Sequence, residues 1–484
     1  MTGFLTFYEM IMFDNGILRM HKALALALAS LICYDAPTFY RKGCGMNGET
    51  SGGEENKSPV VSGDPVRESL ASWLGINRAT LGVLVVIGGL GFAEELWRNF
   101  LAIHLRDSVT GVSPAAQVLE AAKYMGLFAF FVNLFEGFGY IIGGKAAHRL
   151  GARKALIISG APMILGFILL LITHHPLAIV ASALLITNWE PLSVPATFSV
   201  VGSEVPKNRR VIAFAVQSIQ KRLPKVMGPL IGGVAMAVGF WLNLSLAFGF
   251  VVFSCIIQYF LLARMRPTKN DAVDIPFRQV LKEIPPDLKR LLSAEIFLRW
   301  GDWFVRDFAV LYVVGVLART TKEAGFLLAL SSITALLTYI PVGKLVDRSP
   351  NPKPFIGLTF FFFALFPLNL VILPRILPPL GIPLIGALSL VFILNGLREI
   401  GEPARKSLIA GGFPPELRAR AVGLYWGMRS FAFCPAPLIS YFLWRFLGPE
   451  TTFLVGGVLG LIGTAWFWFR VKCAPEEKPV IVRP

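Results

Sequence analysis

Gly144-Lys-Ala-Ala-His-Arg-Leu-Gly-Ala-Arg-Lys154 separates two long apolar runs, and its reading decides the fold. The stretch is short, basic and bounded by glycines. Gly144 permits close packing of one helix end on another, and Gly151 predicts the tight turn of an apolar hairpin. Lys145, Arg149, Arg153 and Lys154 place that turn on the cytoplasmic side, because short loops rich in Lys and Arg are retained there. A second loop, Gly343-Lys-Leu-Val-Asp-Arg348, follows about 200 residues later, as an internal repeat would.

The surrounding chain fits a membrane protein. Of its 484 residues, 55% are hydrophobic and 16% charged, and the mean hydropathy is +0.63. Apolar runs of ~20 residues recur, the length a helix needs to cross hydrocarbon. The net charge of +16 does not point to nucleic acid. The basic residues gather in alternate loops, where they orient the chain and face anionic lipid. The five cysteines are scattered without a Cys-x-x-Cys, which argues against a zinc site and a disulfide framework.

Twelve spans are predicted, near 81–104, 122–144, 154–173, 177–201, 210–238, 241–264, 291–318, 323–346, 354–374, 382–409, 419–446 and 450–471. The expected architecture is all-α, with twelve transmembrane helices in two pseudo-symmetric six-helix bundles. Residues 79–264 form the first bundle, 265–290 a cytoplasmic linker, 291–472 the second bundle and 473–484 a cytoplasmic tail. Residues 1–78 read as a disordered or misassigned N-terminal tail, with Gly, Ser and Glu concentrated in 45–65 and Met46 a candidate start. The loop charges put both termini in the cytoplasm, with the protein multi-pass in the cell membrane.

Four landmarks recur in one order. Glu94-x-x-x-Arg98-Asn-Phe100 answers Asp302-x-x-x-Arg306-Asp-Phe308, and Glu190-Pro191 answers Glu402-Pro403. Pro206-Lys-Asn-Arg209 answers Pro415-Glu-Leu-Arg418, and the glycine loops complete the set. Repeats with binding at their interface mark transporter folds.

The Gly144 loop resembles the signature between helices 2 and 3 of the major facilitator superfamily of secondary transporters. Gly144, Arg149, Gly151, Arg153 and Lys154 match it, and His148 stands where the family carries an acid. Gly343, Asp347 and Arg348 match the family's second copy between helices 8 and 9. The resemblance covers roughly residues 80 to 472 and implies a cytoplasmic gate at Gly144, Arg149, Gly151, Arg153, Gly343, Asp347 and Arg348. It further implies alternating access around a central cavity lined by spans 1, 4, 7 and 10 and flanked by 5 and 11.

Ionisable residues fall within those same spans and span 2, although each costs several kcal/mol near a bilayer centre. The candidate coupling set is Glu94, Arg98, Glu136, Glu190, Lys221, Arg222 and Lys225 in the first half. In the second it is Asp302, Arg306, Arg398, Glu399, Glu402 and Arg429. Three pairs, Glu94/Arg98, Asp302/Arg306 and Arg398/Glu402, are spaced to neutralise themselves on one helix face. Lys221 and Lys225 have no acid on their own helix. Counting residues back and forward from the turn near 205 puts Glu190 at the depth of Lys221.

The chain carries no nucleotide loop. Gly139 to Lys145 mimics part of one, but it ends an apolar helix with no strand before it. Gly228-Pro229-Leu-Ile-Gly232-Gly233 resembles the core of the family's antiporter motif, with Pro224 where an upstream glycine belongs. The expectation is therefore a monomeric, proton-coupled exporter of a small-molecule solute. It is not an enzyme, and no cofactor or metal is expected. Proton-coupled uptake of an organic anion or other nutrient is one alternative. A non-transporting sensor of the same fold is another.

Overall fold

The computed structural model describes residues 78–187, 189–193, 220–262, 284–349, 351–411 and 418–471. All regular structure among them is helical. The first half contains α1 (Arg78–Trp97), α2 (Leu101–Ser108), α3 (Pro114–Ser159), α4 (Ala161–Ile172), α5 (Pro176–Thr187), α6 (Arg222–Val238) and α7 (Phe240–Leu262). The second contains α8 (Pro286–Trp303), α9 (Thr321–Arg348), α10 (Lys353–Ile376), α11 (Leu384–Gly396), α12 (Glu402–Gly411), α13 (Arg418–Phe433), α14 (Ala436–Leu447) and α15 (Pro449–Arg470). The tails, the turn near 205 and most of the linker lie outside the described residues.

Helix starts follow local chemistry. The Ser113 hydroxyl accepts from Ala116 N at 3.4 Å, and Pro114 occupies the first turn, where its missing N–H costs nothing. Thr320 and Glu323 exchange bonds in a capping box, at 3.2 Å from Glu323 N and 2.8 Å from Thr320 N.

Among the described residues, six stretches are long and apolar enough to cross a membrane: Pro114–Tyr140, Arg153–Ile172, Phe240–Leu262, Lys353–Ile376, Gly423–Leu447 and Pro449–Arg470. They correspond to spans 2, 3, 6, 9, 11 and 12. Other expected spans are broken or charged. Span 1 is interrupted by a 3-10 turn at Arg98–Phe100. Span 7 leaves its helix at Trp303 and passes through a widened π turn at Tyr312–Val316. Span 10 breaks at a 3-10 turn, Leu397–Glu399.

The turn expected at Gly151 is absent. The backbone stays helical from Pro114 to Ser159, and the break comes at Gly160 with Pro162 in the next first turn. A lone glycine costs a helix only about 1 kcal/mol relative to alanine, and its neighbours Ala146, Ala147, Leu150 and Ala152 are good helix formers.

Packing repeats between the halves. α1 lies against α7 as α8 lies against α15, and α4 against α5 as α10 against α11. Among the described residues, the halves meet most closely where α6 lies on α9 and where α3 lies on α13 and α14. The first seam is a backbone contact. A Cβ at Gly233 would stand 2.6 Å from Thr321 O, and one at Gly325 would collide with Pro229 O. Thr321 Oγ1 donates to Gly233 O at 3.1 Å. One apolar cluster draws on both halves, with Trp97, Leu101, Leu105 and Met125 beside Phe308, Leu311, Val313 and Leu327. Another, around Leu291, Phe360, Tyr425 and Phe467, belongs to the second half alone.

Candidate functional site

In the first half, charges gather where α1 ends, and a buried tryptophan organises them. Glu94 pairs with Arg98 one turn away, and its other oxygen accepts from Trp189 Nε1 at 2.9 Å. Trp189 is buried, so its N–H needs a partner within the protein. Asn99 Nδ2 donates to Glu95 Oε2 at 2.9 Å. The next residue after Trp189, Glu190, receives Lys221 Nζ at 3.2 Å. Depth counting therefore matches the geometry of that pair. Lys225 stands within coulombic reach of both Glu190 and Glu399. Glu136 accepts from Tyr140 Oη at 3.2 Å, and the Tyr140 ring lies 5.8 Å from that of Trp426 in the second half.

Among the described residues, an ion pair crosses between the halves. Arg222 at the start of α6 donates to Glu399 Oε2 at 3.0 Å. The 3-10 turn at Leu397–Glu399 presents Glu399 to it.

The second half is wired differently from expectation. Asp302 does not pair with Arg306. It takes Arg299 at 3.3 Å and Arg398 at 3.2 Å. Both guanidinium groups lie 4.7 Å from the centre of the Phe363 ring, a cation–π arrangement shared by one ring. Arg306 lies just beyond the end of α8; its backbone N–H still reaches Asp302 O at 2.9 Å, but its guanidinium sits 4.8 Å over Trp303. Arg398 and Glu402 also separate. The 3-10 turn and the turn at Gly401 interrupt the helix between them, and Glu402 turns to Arg405.

Two residues outside the expected set complete a buried cluster. Arg405 Nη2 and Nε reach Glu402 at 2.7 and 3.0 Å, and Arg405 also pairs with Glu295 of α8. Arg429 stands 3.7 Å from the other Glu295 oxygen. Glu402-x-x-Arg405 was a readable signal, since i, i+3 charges share a helix face. Glu295 has Arg299 one turn on in the sequence, and its partners on α12 and α13 were not readable from that local spacing.

For the expected gate, the described side chains include Arg153. Those of Gly144, Arg149, Gly151, Gly343, Asp347 and Arg348 lie outside the description.

Comparison with known proteins agrees with this architecture. The family model described as Major Facilitator Superfamily matches residues 99–321 and 296–483. Multidrug resistance protein MdtH of Proteus mirabilis (strain HI4320) is 25% identical over 346 residues, covering 69% of this chain and 78% of that protein. Among solved structures, an auto-inhibited POT family peptide transporter superposes with a TM-score of 0.66 at 12% identity, over 83% of this chain and 99% of the other. A D-xylose-proton symporter does so with a TM-score of 0.61 at 16% identity, over 82% and 99%.

Proposed function

Because the chain belongs to the Major Facilitator Superfamily, we propose that it is a proton-coupled secondary transporter that exports a small organic solute. Two six-helix halves, 79–264 and 291–472, rock about a site between them to give alternating access. The protein works as a monomer, with both termini in the cytoplasm.

The observation that carries the reading is the Arg222–Glu399 pair at 3.0 Å. Its partners belong to different halves, so rocking the halves apart parts the charges. Glu399 is then left with a charge to be compensated in a low-dielectric setting, and a proton is the smallest ion that does so. Lys225, within reach of Glu190 and Glu399, links this event to the Glu190–Lys221 pair. Glu94, Arg98, Glu136, Asp302, Arg306, Arg398, Glu402 and Arg429 set the field around it. The outward direction rests on the name of the MdtH relative and on Gly228-Pro229 with Gly232-Gly233 in α6.

The test is flux in proteoliposomes under an imposed pH gradient, with internal pH and solute followed together across a panel of amphipathic cations, anions and neutral compounds. At least one compound is expected to leave against its gradient as protons enter. Glu399→Gln is expected to keep solute exchange at zero gradient while cutting gradient-driven flux at least tenfold, and Glu190→Gln to do the same. Unchanged gradient-driven flux in both variants would remove the coupling assignment. Solute and proton moving in the same direction would reverse the export reading in favour of uptake.

A further inference from the structure

A groove of about 320 Å³ opens on the outer face of the first half, between the α3–α4 junction and α7. Ile157, Gly160 and Ile164 form one wall, and Val252, Cys255 and Ile256 the other. The missing side chain of Gly160 keeps it open at this point, since a Cβ there would stand 3.0 Å from Cys255 Sγ. Around it, Ile158, Leu165, Ile168, Phe253 and Tyr259 are exposed, as on a surface that meets lipid.

Two polar features break this apolar setting. Gln258 lines the groove with only 2% of its surface exposed, and its Nε2 has no hydrogen-bond partner. In hydrocarbon an unmatched amide N–H is costly, so it calls for an acceptor. Arg153 and Lys154 lie one turn before Ile157, and neither has an acidic partner among the described residues.

Register ties these features together. The His174 ring lies 5.6 Å from Trp241 at one end of the helix pair, and Gly160 meets Cys255 near the other. The helices are therefore antiparallel, Gln258 is level with Ile157, and Arg153 lies about 6 Å beyond at ~1.5 Å rise per residue. That spacing suits one molecule that carries an anion, a carbonyl a few ångströms deeper and a chain deeper still.

We propose that this groove binds an acidic diacyl phospholipid. Its phosphate rests between Arg153 and Lys154, a glycerol ester carbonyl accepts from Gln258 Nε2, and an acyl chain lies along Gly160, Ile164 and Val252. The basic pair selects acidic over zwitterionic headgroups, and the orphan amide fixes the depth of the lipid.

The experiment is native mass spectrometry of the delipidated full-length protein, titrated with phosphatidylglycerol or phosphatidylcholine in mixed micelles. Lipid retention is read without any flux, so its outcome is separate from that of the transport reading. Phosphatidylglycerol is expected to bind at least tenfold more tightly. Arg153→Gln with Lys154→Gln, which leaves the packing untouched, is expected to weaken it about 25-fold, about fivefold for each basic side chain. Gln258→Leu is expected to weaken both lipids about threefold, the share of one neutral hydrogen bond. Ile164→Trp, at a half-buried position, is expected to fill the groove and abolish selective retention. Equal retention of the two lipids, or phosphatidylglycerol binding that survives both the charge pair and Ile164→Trp, would overturn the site. Displacement by a lipophilic cation with no response to the charge pair would assign the groove to a transported solute, and the lipid proposal would fall.

Discussion

In the first half, the Glu190–Lys221 pair leaves 49% and 37% of its two side chains exposed. In the second, Glu295, Glu402 and Arg405 keep 1%, 7% and 5%. The repeats carry matching landmarks in the chain, Glu190-Pro191 against Glu402-Pro403, yet the two acids have opposite settings. Glu402 is held bidentately by Arg405 of the same helix, and Arg405 also pairs with Glu295, which ties α8 to α12, with Arg429 of α13 near Glu295. Among the described residues, Glu190 makes one ion pair, with Lys221, and half of its side chain is exposed. Buried charges paired through several short contacts resist change, whereas a partly solvated pair exchanges partners cheaply. The comparison separates a charge cluster that holds helices together from one free to respond to the other half.

The largest effect is expected from Arg405→Leu. It strands Glu295 and Glu402 in a buried site, and breaking such a pair costs about 3–5 kcal/mol. The measurement is thermal unfolding in detergent. Combining it with Glu295→Leu and Glu402→Gln is expected to restore most of the loss, because replacing a buried ionic set with neutral groups is often nearly free. If Arg405→Leu melts with the wild type, the second-half cluster is held no more tightly than the first, and the comparison breaks.

A middle effect tests the seam between the halves. Gly325→Val drives a side chain into Pro229 O, and overpacking of this kind costs roughly 1–3 kcal/mol. Gly423→Ala meets nothing within 4 Å and is expected to be neutral in the same melting assay. Equal behaviour of the two variants would mean that α6 and α9 do not need their close approach.

Much of this was legible in the chain, for reasons that differ by residue. The stretches 114–140, 353–376 and 449–470 read clearly because length and apolarity alone mark a helix in hydrocarbon. The Glu190–Lys221 contact was readable because counting residues back and forward from the turn expected near 205 puts the two at one depth. Asp302 with Arg398 was not, since the partners are 96 residues apart on helices whose neighbourhood no local rule supplies. The i, i+4 rule failed at Arg306 because Arg299 and Arg398 take Asp302 while Arg306 stacks over Trp303, and at Arg398/Glu402 because a break interrupts the helix between them. Glycine at 151 misled for the opposite reason, since its neighbours carry the helix through. Only Glu94/Arg98 kept the predicted i, i+4 pairing.

The smallest effect concerns Glu190 and Lys221, and it sharpens the comparison most. Their contact is one hydrogen bond at 3.2 Å between side chains that water reaches. A pair of this kind gains about 0.2–1 kcal/mol, since high dielectric weakens the attraction and ordering two long side chains costs entropy. A double-mutant cycle isolates that term, using Glu190→Gln, Lys221→Met and the two combined, with chemical unfolding as the readout. The expected coupling is below about 1 kcal/mol, and it should shrink further in high salt. Each single variant is expected to fold, because Lys225 stands near enough to Glu190 to take over part of the compensation. A coupling of about 3 kcal/mol or more would place this pair beside Glu295 and Arg405 as a helix tie. Glu190 would then have the wrong setting for a group that changes its charge during transport, and the contrast between the two halves would lie elsewhere.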